Sequence, residues 1–144
     1  MRHPAKLTQL AVVAVSALAL AAAGQTVKEA MKSVVEPTTN VLFAVAGEAD
    51  PANGADAAKV TPSRWQEAAD AAVRLKASAA ALMAPDQSKP GETWAKDAKQ
   101  LHDLAEAAEA AALARDGAKL SDTANALGDN CTACHSQYKD QTAR

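Results

Sequence analysis

Aromatic residues are nearly missing from this chain. Its 144 residues include two Trp, one Tyr and one Phe. With so few large rings, a core needs either very close packing or another group to fill its centre. Cysteine is scarcer still. There are two, Cys131 and Cys134, which rules out a fold held together by several disulfides. No apolar/polar alternation of the kind that marks a strand occurs anywhere. Basic residues are not in excess: 15 Lys and Arg face 17 Asp and Glu. That balance argues against nucleic acid as a partner, and no basic block suggests an anionic membrane surface.

What remains is apolar and rich in alanine, with a hydrophobic content of 49%. Alanine favours helix but buries little area. The longest apolar run, Leu10 to Ala23, is interrupted only by Ser16. It follows the basic residues Arg2, His3 and Lys6 and ends in the small residues Ala21-Ala22-Ala23-Gly24. This is the pattern of a secretory signal peptide over residues 1–24, cleaved after Ala23 or Gly24. The run is shorter than the ~20 residues of a membrane-spanning helix. No cysteine stands at the cleavage point to carry a lipid, so no stable membrane anchor is expected. The expected location is the periplasm. Removing Arg2 and Lys6 leaves 13 basic side chains against 17 acidic ones in the mature chain, residues 25–144.

Four helices are expected in that mature chain. The first runs from about Thr26 to Ala46, with a kink or short break near Glu36-Pro37. A mid-helix proline loses a backbone bond and clashes with the preceding turn. Phe43 is expected to pack inward. Gly47 to Thr61 reads as a loop. Thr61 caps a second helix that opens at Pro62 and stops at Pro85, with Trp65, Ala68, Ala69, Ala72, Leu75, Ala79 and Leu82 on one face. A third spans about Glu92 to Arg115, ended by Gly117 as a C-cap glycine. The fourth runs from about Ala118 to Asp140. Leu120, Ala124, Leu127, Cys131, Cys134 and Tyr138 fall on it at 4-3-4-3-4 spacing, a bundle seam. The fold class is all-α, an antiparallel up-down four-helix bundle forming one domain.

The chemistry is concentrated in Cys131-Thr132-Ala133-Cys134-His135. A Cys-x-x-Cys-His run is the attachment signature of c-type haem: two thiols add to the two vinyl groups of one porphyrin, and the histidine reaches the iron. A thioredoxin-type pair usually opens a helix after a strand, and no strand pattern precedes this one. Two cysteines and one histidine do not close a zinc site. One covalent haem c is the expected cofactor, and in a bundle this poor in rings it also serves as the filler.

The stretch Cys131 to His135, with Ser136-Gln137-Tyr138-Lys139 after it and on the last of four helices, resembles the cytochrome c′ family. That family includes low-spin relatives of the cytochrome c-556 type. The resemblance implies thioethers at Cys131 and Cys134, His135 as the proximal iron ligand, and Tyr138 and Lys139 in the haem environment. The plain alternatives are core packing for Tyr138 and a solvated charge at a helix end for Lys139.

The sixth iron position is open to Met31, Met83 or His102. At ~1.5 Å rise per residue, His135 lies about 8–9 Å from the end of its helix. That end meets the start of the first helix, the end of the second and the start of the third. Met31 and Met83 are at the right depth, whereas His102 is about a turn too deep. The resemblance favours Met31, since low-spin members carry an axial methionine early in the first helix. Met83 is then expected in the core. A His135/Met31 iron implies an electron carrier that docks redox proteins transiently. An apolar distal side implies instead a high-spin protein binding nitric oxide or carbon monoxide. The chain is not expected to be an enzyme, because no distal histidine and arginine set for a peroxidase is present. Relatives are often homodimers, which the resemblance extends to this chain as an expectation.

Overall fold

The computed structural model describes residues 25–88 and 92–139. The expected signal peptide, residues 1–24, lies outside the described residues. The first arm of the fold is built of three consecutive helical pieces: α1, Val27–Ala30; a π-helical turn, Met31–Val35; and α2, Glu36–Ala49. The other arms are α3, Pro62–Leu82; α4, Glu92–Ala114; and α5, Gly117–Tyr138. No strand occurs among the described residues. Each arm packs on its neighbours in the chain, and α5 closes the ring on α2. The result is the expected four-helix bundle.

The apolar periodicity explains which faces are buried. Leu42, Leu75, Leu120 and Leu127 are fully enclosed, one or two from each of α2, α3 and α5. Opposite them α4 presents Ala105, Ala108 and Ala112, also fully enclosed. Helix α3 adds Ala68, Ala72 and Ala79. Side chains this small let helix axes approach closely, and α3 with α4 form the most extensive pair. Two ion pairs run along the outside between neighbouring arms: Arg64 with Glu48, at 2.5 Å, and Lys76 with Glu109. The Arg64 guanidinium holds the Glu48 carboxyl below its usual range. Pairs this exposed orient the helices more than they stabilise them.

Proline at position 37 does not break the first arm. The turn ahead of it widens: the Glu36 N–H donates to the Met31 carbonyl, five residues back, so the chain takes a π turn. Widening moves the carbonyls away from the proline ring that would strike them in an α-helix. The threonine hydroxyls that follow bond the carbonyls of this region. Thr38 Oγ1 donates to Val34 O at 2.7 Å and Thr39 Oγ1 to Val35 O at 2.8 Å. The helix then continues to Ala49, three residues past its expected end, with Leu42 and Val45 fully buried.

Three other expectations need correction. Phe43 faces outward and is 39% exposed, because Leu42 and Val45 take the core-facing positions on either side of it. Met83 is equally exposed; it is the C-cap of α3, and Leu82 turns inward in its place. Gly117 does not terminate the third helix. Arg115 takes the left-handed conformation there, with φ 55. The Arg115 N–H donates to Ala112 O and the Asp116 N–H to Ala111 O, a Schellman ending. Asp116 then caps α5, its carboxylate accepting from the Lys119 N–H at 3.0 Å.

Gly117 is required for another reason. A Cβ built there would lie 2.3 Å from the carbonyl oxygen of Ala49. The start of α5 touches the end of α2 through bare backbone. Gly117→Ala is expected to destabilise the fold by about 1–3 kcal/mol, the usual range for overpacking a tight contact. Urea denaturation measures it, and an unchanged midpoint would show that the two helix ends separate freely.

Candidate functional site

The seam on α5 explains where the site lies. Leu120, Ala124 and Leu127 are buried, but Cys131, Cys134 and Tyr138 are only half-buried. The seam therefore leaves the core and surfaces at one end of the bundle, as the four arms cease to cover it. His135, one residue past Cys134, is exposed yet lines the same cleft.

All four arms contribute walls to that cleft. The first arm supplies Met31 and Val35, and α3 supplies Leu82. Helix α4 adds Trp94, Asp97 and Leu101. Helix α5 adds Asn130, Cys131, Cys134 and His135. The cleft is partly open, with a cavity volume of about 40 Å³, so a porphyrin seated here would extend beyond it.

Hydrogen bonds brace α4 against its neighbours at this end. Trp94 Nε1 donates to Leu82 O at 2.9 Å, satisfying a carbonyl of the last turn of α3. The Trp94 and Tyr138 rings meet edge to face, with centroids 5.1 Å apart. Thr93 Oγ1 donates to Gln137 Oε1 at 2.7 Å and lies 2.7 Å from the Tyr138 hydroxyl. With its one proton given to Gln137, Thr93 accepts from Tyr138. Asn130 Nδ2 donates to the Asp97 carbonyl at 3.2 Å.

Burial pushes both cysteine thiols above their ordinary range. At Cys134 the negative charge of Asp97 pushes further in the same direction, as does Cys131. No disulfide joins the two cysteines.

The sequence-predicted residues divide clearly. Cys131, Cys134, His135 and Met31 come together at the cleft. Tyr138 stands behind it, packed on Trp94. Lys139 is the exposed C-cap of α5, its N–H donating to His135 O at 3.1 Å. His102 points away, with Nδ1 3.5 Å from Asp103 Oδ1, and Met83 does not line the cleft. Gly128, one turn before Cys131, has no atom of a neighbouring helix within 4 Å of a built Cβ.

Asp97 and Asn130 were not singled out from the sequence, and Trp94 was read there only as part of the apolar stripe of the third helix. Asp97 follows Trp94 by three residues and precedes Leu101 by four, which places it on the apolar face of α4. A carboxylate at a core-facing position was the available signal.

Among the described residues, no group of three or more His, Cys, Asp or Glu could hold a bare metal ion. Haem iron does not need one. The porphyrin supplies four nitrogens, leaving one or two positions for protein ligands. No helix among the described residues is long and apolar enough to cross a membrane. No family model matches the chain, and searches of curated proteins and of solved structures find no match.

Tyr138→Phe removes the hydroxyl that ties the end of α5 to the start of α4. It is expected to lower stability by about 0.5–1.5 kcal/mol, the net value of one hydrogen bond. Thermal unfolding checks this, and an unchanged transition would mean that Thr93 finds an equivalent partner in water.

Proposed function

We propose that this chain is an exported c-type cytochrome of the cytochrome c′ kind, carrying one haem and transferring electrons in the periplasm. One observation carries the reading: Met31 lines the same cleft as Cys131, Cys134 and His135, about a hundred residues further along the chain. The donor set suits the group. Two neutral thiols lie at the spacing that meets two vinyl groups, each adding its sulfur to one carbon and its proton to the other. A histidine directly after them can reach the iron, and a thioether sulfur stands on the opposing arm. Haem, when bound, supplies one-electron exchange between ferric and ferrous iron.

The chain's residues have distinct roles in this reading. Cys131 and Cys134 fix the porphyrin to α5. His135 would hold the iron through a ring nitrogen. Met31 would offer it a thioether sulfur, a ligand that raises the potential relative to a second nitrogen. Val35, Leu82 and Leu101, which line the cleft, would keep water from the ring. The exposed Lys139 lies one turn beyond His135 and adds positive charge to the proximal side. His102 is paired toward Asp103 and contributes no side chain to the cleft, so the histidine and arginine set of a peroxidase is not assembled there. The partner of an electron carrier is a redox protein bound transiently.

Met31→Ala separates this reading from gas binding. The parent protein is expected to show a low-spin spectrum that the substitution converts to high-spin. A parent that is already high-spin, with a spectrum unchanged by Met31→Ala, would place the protein among binders of nitric oxide or carbon monoxide. A second test concerns folding. Without haem, an alanine-rich interior buries little area to offset chain entropy. Cys131→Ala with Cys134→Ala is expected to give a poorly folded chain. A cooperative thermal transition matching the parent would contradict it.

A further inference from the structure

Asp97 is a carboxylate in an apolar wall. It is 7% exposed, and its Oδ2 is buried without a hydrogen-bond partner. It lines the cleft together with Cys134, Met31 and His135. Among the described residues that line the cleft it is the one acidic side chain, and none of them is a Lys or Arg. The nearby lysines are engaged elsewhere or turned outward: Lys99 pairs with Asp103 at 2.5 Å, and Lys96 is exposed. The Asn130 amide bonds the Asp97 backbone carbonyl, which fixes α4 to α5 at this level without satisfying the carboxylate. An unsatisfied buried oxygen is costly to keep and calls for a reason.

Resting on the haem reading, we infer that Asp97 is a potential-setting residue: its carboxylate, held in the haem cleft, favours the ferric over the ferrous state and lowers the midpoint potential. The argument is electrostatic. Ferric iron in a dianionic porphyrin carries one net positive charge, and ferrous iron carries none. A fixed negative charge nearby stabilises the first and not the second. The interaction is strong where water is excluded and screening is weak. The carboxylate acts through the field alone, so the sign holds whichever face of the ring it lies toward.

The experiment is spectroelectrochemical titration of the haem-loaded protein, with the pyridine haemochrome spectrum counting attached haem. Asp97→Asn keeps the shape and removes the charge, and is expected to raise the midpoint potential. Asp129→Asn, on the exposed face of α5, is the control and is expected to shift it less. If Asp97→Asn does not load haem, Asp97→Leu removes the same charge in a form that suits an apolar wall. An unchanged or lowered potential in the loaded variant, or a rise no larger than that of Asp129→Asn, overturns the inference while leaving the haem reading intact. A parent chain without thioether-bound haem overturns both.

Discussion

Helix spacing in this bundle is set by alanine, and the rest of the architecture depends on that spacing. Through the middle of the fold, Ala68, Ala72, Ala105, Ala108 and Ala112 leave no room between α3 and α4 for anything but neighbouring side chains. Four leucines complete this interior. Alanine contributes little burial per residue, so a bundle of this kind gains stability by close fit and not by bulk. Even glycine is used for closeness: Gly117 stands against the Ala49 backbone where a methyl group would not fit. Trp65 is buried near the start of α3, and other large side chains gather at the end of the bundle that holds the cleft. Trp94, Leu82, Leu101 and Met31 ring the cleft there, and the seam of α5 emerges between them as two cysteines.

The first arm shows how a local irregularity bears on the site. Pro37 does not line the cleft, but the π turn over Met31–Val35 that precedes it does contribute to the lining. Met31 and Val35 are the first and last residues of that turn, and both line the cleft. A wider turn changes the angle at which successive side chains leave the helix. The direction of the Met31 thioether is therefore tied to a proline six residues later. Single π turns in α-helices frequently accompany functional sites, and this one carries Met31, the iron ligand of the proposed haem site.

Much of this was legible in the sequence, for identifiable reasons. Helices α3, α4 and α5 followed from periodicity, and the Thr61-Pro62 start of α3 from capping chemistry. Counting residues back from helix ends put both Met31 and Met83 at the depth of His135, and the family resemblance favoured Met31; Met31 lines the cleft with His135 and Met83 does not. What escaped the sequence were choices between neighbours and effects of tertiary packing. Leu42 and Phe43 are adjacent apolar residues, and only the packed arm decides which turns inward. The same holds for Leu82 and Met83. Asp116-Gly117 has the composition of a helix end, yet Arg115 takes the left-handed turn because the glycine is needed against Ala49. Asp97 and Trp94 lay in plain view on the α4 stripe. Their importance depends on the brace to Leu82 and the unpaired Oδ2, which arise only once α3, α4 and α5 are assembled.

The central claim is covalent: Cys131 and Cys134 carry a haem on a helix whose neighbouring first arm offers a sulfur ligand. Intact mass spectrometry of the purified protein after acid–acetone extraction addresses it directly. The account predicts a mature chain heavier than its polypeptide by one haem, with the colour remaining in the protein fraction. A mass equal to the bare polypeptide, with or without a disulfide between the two cysteines, would contradict it.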